Sequence, residues 1–422
     1  MMHTHTQRLI IFPKRLSDIT PYSFTVNKHI ARKAGLSMIY LDNAATSFPN
    51  PESVIKAVAD AMYTVGGNPG RSAHKLALAA AGEVYVTRER AAELFGARPE
   101  NIVFTYNTTY AINNALKSSY IYGTHVLISD LEHNSVLRPT AAVTGNSFAS
   151  YSMFDSALEL KGEERTHAII SSIRSKMRPL TRTLICTARS NVTGTPMPIR
   201  EIGRYCRENG LFFIVDGAQS AGYDDINIER DNIDVLCVPG HKGLYGPSGT
   251  GMMIFSTSAV LSERIGSFIE GGNGVSSLDV NMPEALPEKL ESGTLGVPGI
   301  MGLGVALKYV SDLGINRIAE HDSSLIQKAY MSLCFNKKLE IYSYEPHSPI
   351  LLFNVAGKDS EDTAAELDSR GICVRAGYHC APLAHKRAST PVGGAVRISV
   401  GYTNTEDEID EFIKAVYDIT GK

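Results

Sequence analysis

The sequence contains LFFIVDGAQ at residues 211–219 and, further along, DVLCVPGHKG at residues 234–243. Each segment contains a short apolar run that is followed by glycine or proline, a pattern typical of a buried strand. Open α/β sheets bind ligands at the carboxyl ends of their strands, and these two runs lead to Asp216 and Lys242. The two segments therefore predict that a carboxylate and an amine face one ligand crevice.

The same pattern of short apolar runs bounded by turn-forming residues continues in both directions along the chain. Further apolar strands are predicted near 102–106, 125–129, 183–188 and 250–255, and helices over 51–65, 74–95, 197–209 and 299–313. This alternation indicates an α/β fold with a mainly parallel sheet covered by helices on both faces, which we expect over residues 38–311. Strands and helices then follow in closer succession, so we expect a smaller C-terminal α+β domain over residues 312–422. Its strands are predicted at 349–355, 372–375 and 395–400, and its helices at 361–369 and 405–418.

Residues 1–37 differ in composition from the rest of the chain, with six Lys or Arg against one acidic residue. Three interpretations stay open for this extension: a disordered tail, a transit-like presequence, or sequence that precedes a true start at Met38. We assign it no function.

The overall composition narrows the classes of partner. The 422 residues carry 41 Lys or Arg and 44 Asp or Glu, a net charge of −3, so there is no basic excess for nucleic acid or an anionic membrane to bind. No apolar run reaches the roughly 18 residues of a membrane-spanning helix. The six cysteines are scattered without CxxC pairs, which favours a reducing, cytoplasmic location. We therefore expect a small-molecule substrate.

Asp216 and Lys242 each require a chemical explanation. A carboxylate that is buried at a strand end needs a cation, such as an arginine, a metal or a protonated ring nitrogen. A lysine in a crevice loses its proton more readily and then serves as a Schiff-base nucleophile and proton shuttle. The alternatives are a structural or substrate-binding aspartate and a solvated surface lysine.

Nine segments, which include parts of the two quoted above and are taken in chain order, decide between these interpretations. They are LDNAAT at 41–46, TT at 108–109, EH at 132–133, SNVTGT at 190–195, VDGAQ at 215–219, GHK at 240–242, SGT at 292–294, RAGYHCAP at 375–382 and VRISVGYTNTEDEID at 396–410. From Met38 to the C-terminus the chain resembles the cysteine desulfurases of the class V aminotransferase group of pyridoxal-phosphate enzymes. The resemblance implies a fold-type-I enzyme with a seven-stranded type of sheet in its large domain.

The resemblance also implies which residues bind pyridoxal 5'-phosphate. Lys242 resembles the lysine that holds the cofactor covalently and moves the substrate Cα proton. Asp216 would pair with the ring nitrogen, and Gln219 would form a hydrogen bond with the ring hydroxyl. His133 resembles the histidine stacked on the ring, and Asn191 the residue beside it.

The phosphate would be bound by a separate set of donors. Thr108 and Thr109 fall where a predicted strand turns into a helix, a position at which free backbone N–H groups attract anions. His241 would add a donor, and Thr294 resembles a threonine supplied by the second subunit, which implies a homodimer. The alternative for Thr109 is a helix cap without a ligand.

Cys380 resembles the nucleophile that takes sulfur from the substrate as a persulfide. A thiol must become a thiolate to attack, so we expect help from cationic neighbours, namely Arg375, His379 or His385. A metal site built from His379, Cys380 and His385 is disfavoured because the three residues lack a paired second cluster. Arg397 resembles the arginine that clamps the substrate carboxylate.

Asn43 and Arg375 complete the predicted substrate-binding set, with a structural ion pair as the alternative for Arg375. The implied reaction is L-cysteine desulfuration to alanine. Three alternatives stay open: a selenocysteine lyase, another class V reaction such as transamination, and a partner-docking sulfur-relay protein with negligible turnover of its own. The compact cysteine loop resembles the branch of the family that passes sulfur to an acceptor protein.

Overall fold

A computed structural model describes residues 38–70, 74–145, 151–262 and 264–421, so the predicted extension over residues 1–37 lies outside the described residues. The helices are α1 (Glu52–Thr64), α2 (Lys75–Phe95), α3 (Thr108–Ser119), α4 (Asn134–Val143), α5 (Gly162–Lys176), α6 (Ile199–Glu208), α7 (Thr257–Leu261), α8 (Val297–Leu313), α9 (Ile315–Leu333), α10 (Ser360–Asp368), α11 (Pro382–Arg387) and α12 (Glu406–Thr420). The strands are β1 (Ile39–Tyr40), β2 (Ile102–Thr105), β3 (His125–Ser129), β4 (Tyr151–Phe154), β5 (Thr181–Thr187), β6 (Phe212–Asp216), β7 (Val235–Pro239), β8 (Gly251–Phe255), β9 (Leu339–Tyr344), β10 (Ile350–Val355), β11 (Ile372–Cys373) and β12 (Val396–Ser399). Within these ranges no helix is both long enough and apolar enough to cross a bilayer.

The central sheet has seven strands in the order β2-β8-β7-β6-β5-β3-β4. Strand β8 runs antiparallel to both of its neighbours, and all other neighbouring pairs are parallel. The prediction of a mainly parallel α/β sheet is therefore confirmed. Since β2 runs in the same direction as β7, the strands β2, β3, β5, β6 and β7 all end at the same edge of the sheet.

Both faces of this sheet are buried, which explains why its strands are continuous apolar runs. Successive side chains of a strand point to opposite faces. In β6, Phe213 and Val215 join one hydrophobic cluster, whereas Phe212 and Ile214 join a second cluster. Strands that are covered on both sides lose the apolar and polar alternation of half-exposed strands. Packing on both faces holds the central strands in place, and it thereby positions the loops that follow their carboxyl ends.

The C-terminal elements form a smaller α+β arrangement, as predicted. Strands β12, β10 and β9 make an antiparallel sheet against which α9 and α10 pack. Strand β1, from the start of the described chain, pairs in parallel with β11, and Ile39 and Leu41 are buried in the same hydrophobic cluster as Phe353 and Phe412. The first strand therefore packs with C-terminal elements, and the domain boundary at residue 311 stays a prediction.

Candidate active site

The loops that follow β2, β3, β5, β6 and β7 meet around one cavity of about 330 Å³, a volume typical of small-molecule sites. The cysteine loop, residues 377–382, and strand β12 complete its wall. The predicted site residues that line this cavity are Thr108, Thr109, His133, Asn191, Asp216, Gln219, His241, Lys242, Arg375, Cys380 and Arg397. Asp216 and Lys242 thus face the same crevice.

Two predicted residues, Asn43 and Thr294, do not line the described cavity. The side chain of Asn43 is buried and donates to the backbone oxygen of Ser399 over 3.2 Å and to Oδ1 of Asn404 over 3.1 Å. It also accepts from the N–H of Phe48. Its amide therefore holds the LDNAAT turn against β12, and the structure does not bring it to a substrate. Thr294 is exposed on the surface of this chain.

Asp216 and Lys242 shift each other's proton affinity. The carboxylate of Asp216 is buried, accepts from the N–H of Ala218 over 2.9 Å and contacts Oγ of Ser135 at 3.4 Å. Burial raises the pKa of Asp216, and the ammonium of Lys242 opposes that rise. Burial lowers the pKa of Lys242 to about 8, with Arg397 acting in the same direction and Asp216 against it. An amine with this pKa is partly neutral near pH 7 and available as a nucleophile.

His133 is held neutral with a defined tautomer. It caps the N-terminus of α4, where its Nδ1 accepts from the N–H of Ser135 over 3.0 Å. Burial, followed by the charge of Lys242, lowers the pKa of His133 to about 4. The proton of the neutral ring therefore lies on Nε2. Oγ of Ser135 also lies 2.9 Å from Nδ1 of His133, and no motif in the sequence singles out this serine.

The N-terminus of α3 carries unused hydrogen-bond donors. Asn107 caps this helix by accepting from the N–H of Tyr110 over 2.9 Å, so Thr108 and Thr109 are free of the capping role. Among the described residues, Oγ1 of Thr108 and Nδ1 of His241 are buried without any hydrogen-bond partner. Buried polar atoms of this kind are rare, and a helix N-terminus attracts anions. This donor set fits the phosphate group of pyridoxal 5'-phosphate.

The cysteine loop is fixed to the large sheet through its backbone. Cys380 is exposed to solvent at the cavity, and both His379 and Cys380 have left-handed backbones, with φ of 49° and 56°. The carbonyl of His379 accepts from Nδ2 of Asn191 over 2.8 Å, and the carbonyl of Cys380 accepts from the N–H of Asn134 over 2.8 Å. Asn191, which the resemblance places beside the cofactor ring, therefore also connects the cysteine loop to the turn after β5.

The protonation states of His379 and His385 differ from the sequence-based prediction. Burial lowers the pKa of His379 to about 2 and that of His385 to about 4, and the nearby Arg397 acts in the same direction for both. Both rings are therefore neutral at pH 7, and the prediction that they act as cationic neighbours of the thiol is wrong. Arg375, the third predicted neighbour, lines the same cavity as Cys380.

Arg397 is fully buried in β12, but some N–H groups of its guanidinium have no hydrogen-bond acceptor in the described part of the chain. Its guanidinium donates to Oδ1 of Asp42 and to the backbone oxygen of Asn191, each over 2.8 Å. Its Nε is buried and finds no acceptor within the described ranges. A guanidinium has five N–H groups, so donors are left for a ligand carboxylate at the cavity. The partner Asp42 lies in the LDNAAT segment, and its neutralising role was not predicted from the sequence.

A seven-stranded, mainly parallel sheet with a lysine and an aspartate at the ends of adjacent strands defines the class of fold-type-I enzymes. The class V aminotransferase family matches residues 39–412, and the chain belongs to that family. It is 33% identical to a protein of Methanothermobacter thermautotrophicus described as a probable cysteine desulfurase, over 91% of this chain and 95% of the relative. It is 31% identical to a cysteine desulfurase of Shigella sonnei, over 90% of this chain and 92% of the relative.

Solved structures agree with these sequence relatives. The apo structure of a cysteine desulfurase from Thermococcus onnurineus matches with a TM-score of 0.80 and 26% identity, over 91% of this chain and 95% of that chain. A cysteine desulfurase from Escherichia coli matches with a TM-score of 0.80 and 27% identity, over 92% and 97% of the two chains. The resemblance to the cysteine desulfurase family and the fold-type-I prediction are confirmed.

Proposed function

We propose that the protein is a pyridoxal-phosphate-dependent L-cysteine desulfurase that releases alanine and leaves a persulfide on Cys380. The observation that carries this proposal is that Lys242 and Cys380, which are distant in sequence, line one cavity together with Asp216. The cysteine desulfurases among its relatives support the same reaction. L-cysteine is accordingly the substrate.

The residues of the cavity fit pyridoxal 5'-phosphate. Thr108, Thr109 and His241 would hold the phosphate, because two of these side chains carry the buried, unpartnered polar atoms described above. Asp216 would pair with the ring nitrogen, and Lys242 would hold the cofactor covalently. When bound, the cofactor withdraws electrons from the substrate Cα and so weakens its bond to hydrogen.

Lys242 moves protons in the proposed reaction. Its amine takes the proton from Cα and later returns it to Cα, whereas the additional hydrogen of the alanine methyl group comes from the proton that the Cys380 thiol releases when it becomes a thiolate. A pKa of about 8 suits both transfers near neutral pH, because proton shuttles are most efficient when their pKa lies close to the working pH. His133 stays neutral and offers the N–H of Nε2 as a hydrogen-bond donor at the cavity.

Cys380 removes the sulfur. Its thiolate attacks the sulfur of the substrate, forming an S–S bond while the bond between Cβ and sulfur breaks. The electron pair of the broken bond stays with the carbon skeleton, which is then protonated to alanine. Arg397 would bind the substrate carboxylate through its unused N–H groups, and Arg375 would stabilise the thiolate. The persulfide then passes to a thiol or to a sulfur-acceptor protein.

A pair of variants tests the proposal. Cys380→Ser is expected to lower alanine release from L-cysteine by about 100-fold or more, because the attacking group is lost, while the visible absorbance of the lysine-bound cofactor persists. Lys242→Ala is expected to lose both signals. Cys334→Ser, which changes a free cysteine outside the cavity, is the matched control. Undiminished alanine release by Cys380→Ser would contradict the proposal. Efficient alanine release from selenocysteine alone would instead indicate a selenocysteine lyase.

We also propose that the enzyme is a cytoplasmic homodimer. The six cysteines are all free, which supports a reducing compartment. Leu278 and Val280 are almost completely exposed in the single chain, and large exposed apolar side chains support an interface with another subunit. Thr294 lies in the same stretch of chain and would reach the phosphate of the second subunit.

A further inference from the structure

Two buried imidazole rings, His379 in the cysteine loop and His385 in α11, contact each other, and the proposed reaction gives them no role. Nδ1 of His379 lies 2.9 Å from Nε2 of His385, and the ring planes are nearly parallel at 8°. Both side chains are almost inaccessible to solvent. Because a buried nitrogen pair at this distance must share one hydrogen, the protonation of the two rings is coupled.

The direction of this hydrogen bond follows from its ends. Nε2 of His379 lies 3.3 Å from the backbone oxygen of Arg375, which can only accept, so this nitrogen carries the hydrogen. A neutral ring has one N–H, and Nδ1 of His379 therefore accepts from Nε2 of His385. Nδ1 of His385 then accepts from the hydroxyl of Thr390, which lies 2.9 Å away. The hydrogen bonds run in one direction, from Thr390 to the backbone of Arg375.

This chain of hydrogen bonds closes the loop that carries Cys380. It joins residues 375, 379, 385 and 390, and the cysteine lies between the second and third of these. Two consecutive left-handed residues without a glycine, His379 and Cys380, cost about 1–2 kcal/mol each and persist only where their surroundings hold them. Asn191 and Asn134 hold the carbonyl groups of this turn, and the imidazole pair holds the His379 side chain.

We propose that His379 and His385 are positioning residues, a hydrogen-bonded imidazole pair that fixes the backbone turn at Cys380 and so presents its thiol to the cavity. The inference rests on the proposed role of Cys380 as the nucleophile. The pair acts through the loop: His379 borders the cavity, whereas His385 does not line it. Helix α11 is anchored separately, because Arg387 forms ion pairs with Asp130 and Asp155, so loss of the imidazole pair loosens the loop without releasing the helix.

The test separates the hydrogen-bond donor at position 385 from the bulk of the side chain. His385→Leu removes the donor, whereas His385→Gln keeps an amide N–H that can reach Nδ1 of His379. In the holoenzyme we expect His385→Leu to lower kcat by about 10-fold to 100-fold, because displacement of a reacting group by about 1 Å costs that much, with KM for cysteine changed less than about twofold. His385→Gln is expected to keep kcat within about threefold. His167→Leu, on the exposed face of α5, is the control.

Hydrogen exchange provides a readout that needs no turnover. Backbone amides of residues 375–392 are expected to exchange about 10-fold faster in His385→Leu and at the wild-type rate in His385→Gln and His167→Leu. Thr390→Val, which removes the donor to His385, is expected to speed exchange in the same segment by a smaller factor. It also provides the test if His385→Leu does not fold.

Three outcomes would overturn the inference. They are unchanged kcat and exchange in His385→Leu, equal damage from leucine and glutamine at position 385, and unchanged exchange in Thr390→Val. A wild-type enzyme that releases no alanine from cysteine would instead overturn the proposed function. The exchange comparison would still decide whether the imidazole pair holds the loop.

Discussion

Glu132 is a buried carboxyl group that has no cationic partner among the described residues. Its Oε1 accepts from the hydroxyl of Ser129 and from the N–H of Thr187 over 2.9 Å, and its Oε2 is unpartnered within the described chain. Burial raises the pKa of Glu132 to about 8, so the group is a neutral acid at pH 7. It therefore adds no negative charge beside Asp216, and the electrostatic interaction between Asp216 and Lys242 is not opposed by a second carboxylate.

This protonation state predicts a pH-dependent effect of Glu132→Gln. The pKa is about 8 in the folded protein and 4.5 ordinarily, so between these values the unfolded chain releases a proton that the folded protein keeps. Wild-type stability then falls with rising pH, by about 1 kcal/mol per pH unit from this group, whereas glutamine does not titrate. The free energy of unfolding of Glu132→Gln relative to wild type should rise from pH 5 to 8 and level off above.

Urea unfolding of the cofactor-free protein at half-unit pH steps measures this difference. Glu163→Gln, on the exposed start of α5, is the matched control for the substitution itself. A flat difference for Glu132→Gln between pH 5 and 8 would show that the buried carboxyl group is already ionised.

Sequence reasoning identified the site residues that follow a strand, because chain order and strand ends locate them without side-chain detail. Lys242 and Asp216 are of this kind. It did not anticipate Ser135 or Asp42, whose importance lies in contacts made only after folding. Asn43 was selected for its motif, but the sequence alone does not reveal whether an amide faces a cavity or a backbone turn. The charge of a histidine likewise depends on burial, which the sequence near Cys380 does not specify.

At the level of elements, the position of Thr108 at the N-terminus of α3 predicts opposite effects of Thr108→Val on the stability of the cofactor-free protein and on its affinity for the cofactor. The hydroxyl of Thr108 is buried and lacks a partner in the described part of the chain, so its removal should stabilise the cofactor-free protein by about 1 kcal/mol. The same hydroxyl would bind the phosphate, so affinity for pyridoxal 5'-phosphate should fall about 10-fold, the loss of one hydrogen bond to a charged group.

Thermal unfolding of the cofactor-free protein and titration with pyridoxal 5'-phosphate measure these two effects. Thr166→Val, on the surface of α5, should change neither. Unchanged cofactor affinity in Thr108→Val would remove this threonine from the phosphate site, and a lower melting temperature would show that its hydroxyl has a partner in solution.

The elements that sequence reasoning located best are those at the centre of the sheet. Strand β3 occupies the predicted residues 125–129, because a strand buried on both faces is a continuous apolar run. Strands β4 and β9 were not predicted, since each lies at the edge of its sheet and neither is a fully buried apolar run: β4 mixes buried with half-exposed residues, and β9 has no buried residue. Helix α9 was also missed, because only Gly314 separates it from α8 and no polar loop marks its start.

At the level of the whole molecule, one predicted site residue, Thr294, does not line the cavity of its own chain. Thr294 is exposed and lies in an extended, irregular stretch that follows α7 and also exposes Phe268, Leu278 and Val280. Apolar exposure of this extent in one segment indicates a surface that another molecule covers. A twofold dimer would place the same segment of each subunit on its partner, so two cavities would each receive one threonine.

Subunit mixing tests whether Thr294 acts across such an interface. Lys242→Ala lacks the lysine, and Thr294→Asp would repel the phosphate, so each homodimer alone should be nearly inactive. In a mixed dimer, the subunit with an intact Lys242 would receive an intact Thr294 from its partner, and one of the two cavities would be complete. Random mixing of equal amounts makes half of the dimers mixed, so activity should recover to about a quarter of wild type. If Thr294 served its own chain, both cavities of the mixed dimer would carry a defect and mixing would restore nothing. An active Thr294→Asp homodimer would exclude Thr294 from the phosphate site altogether.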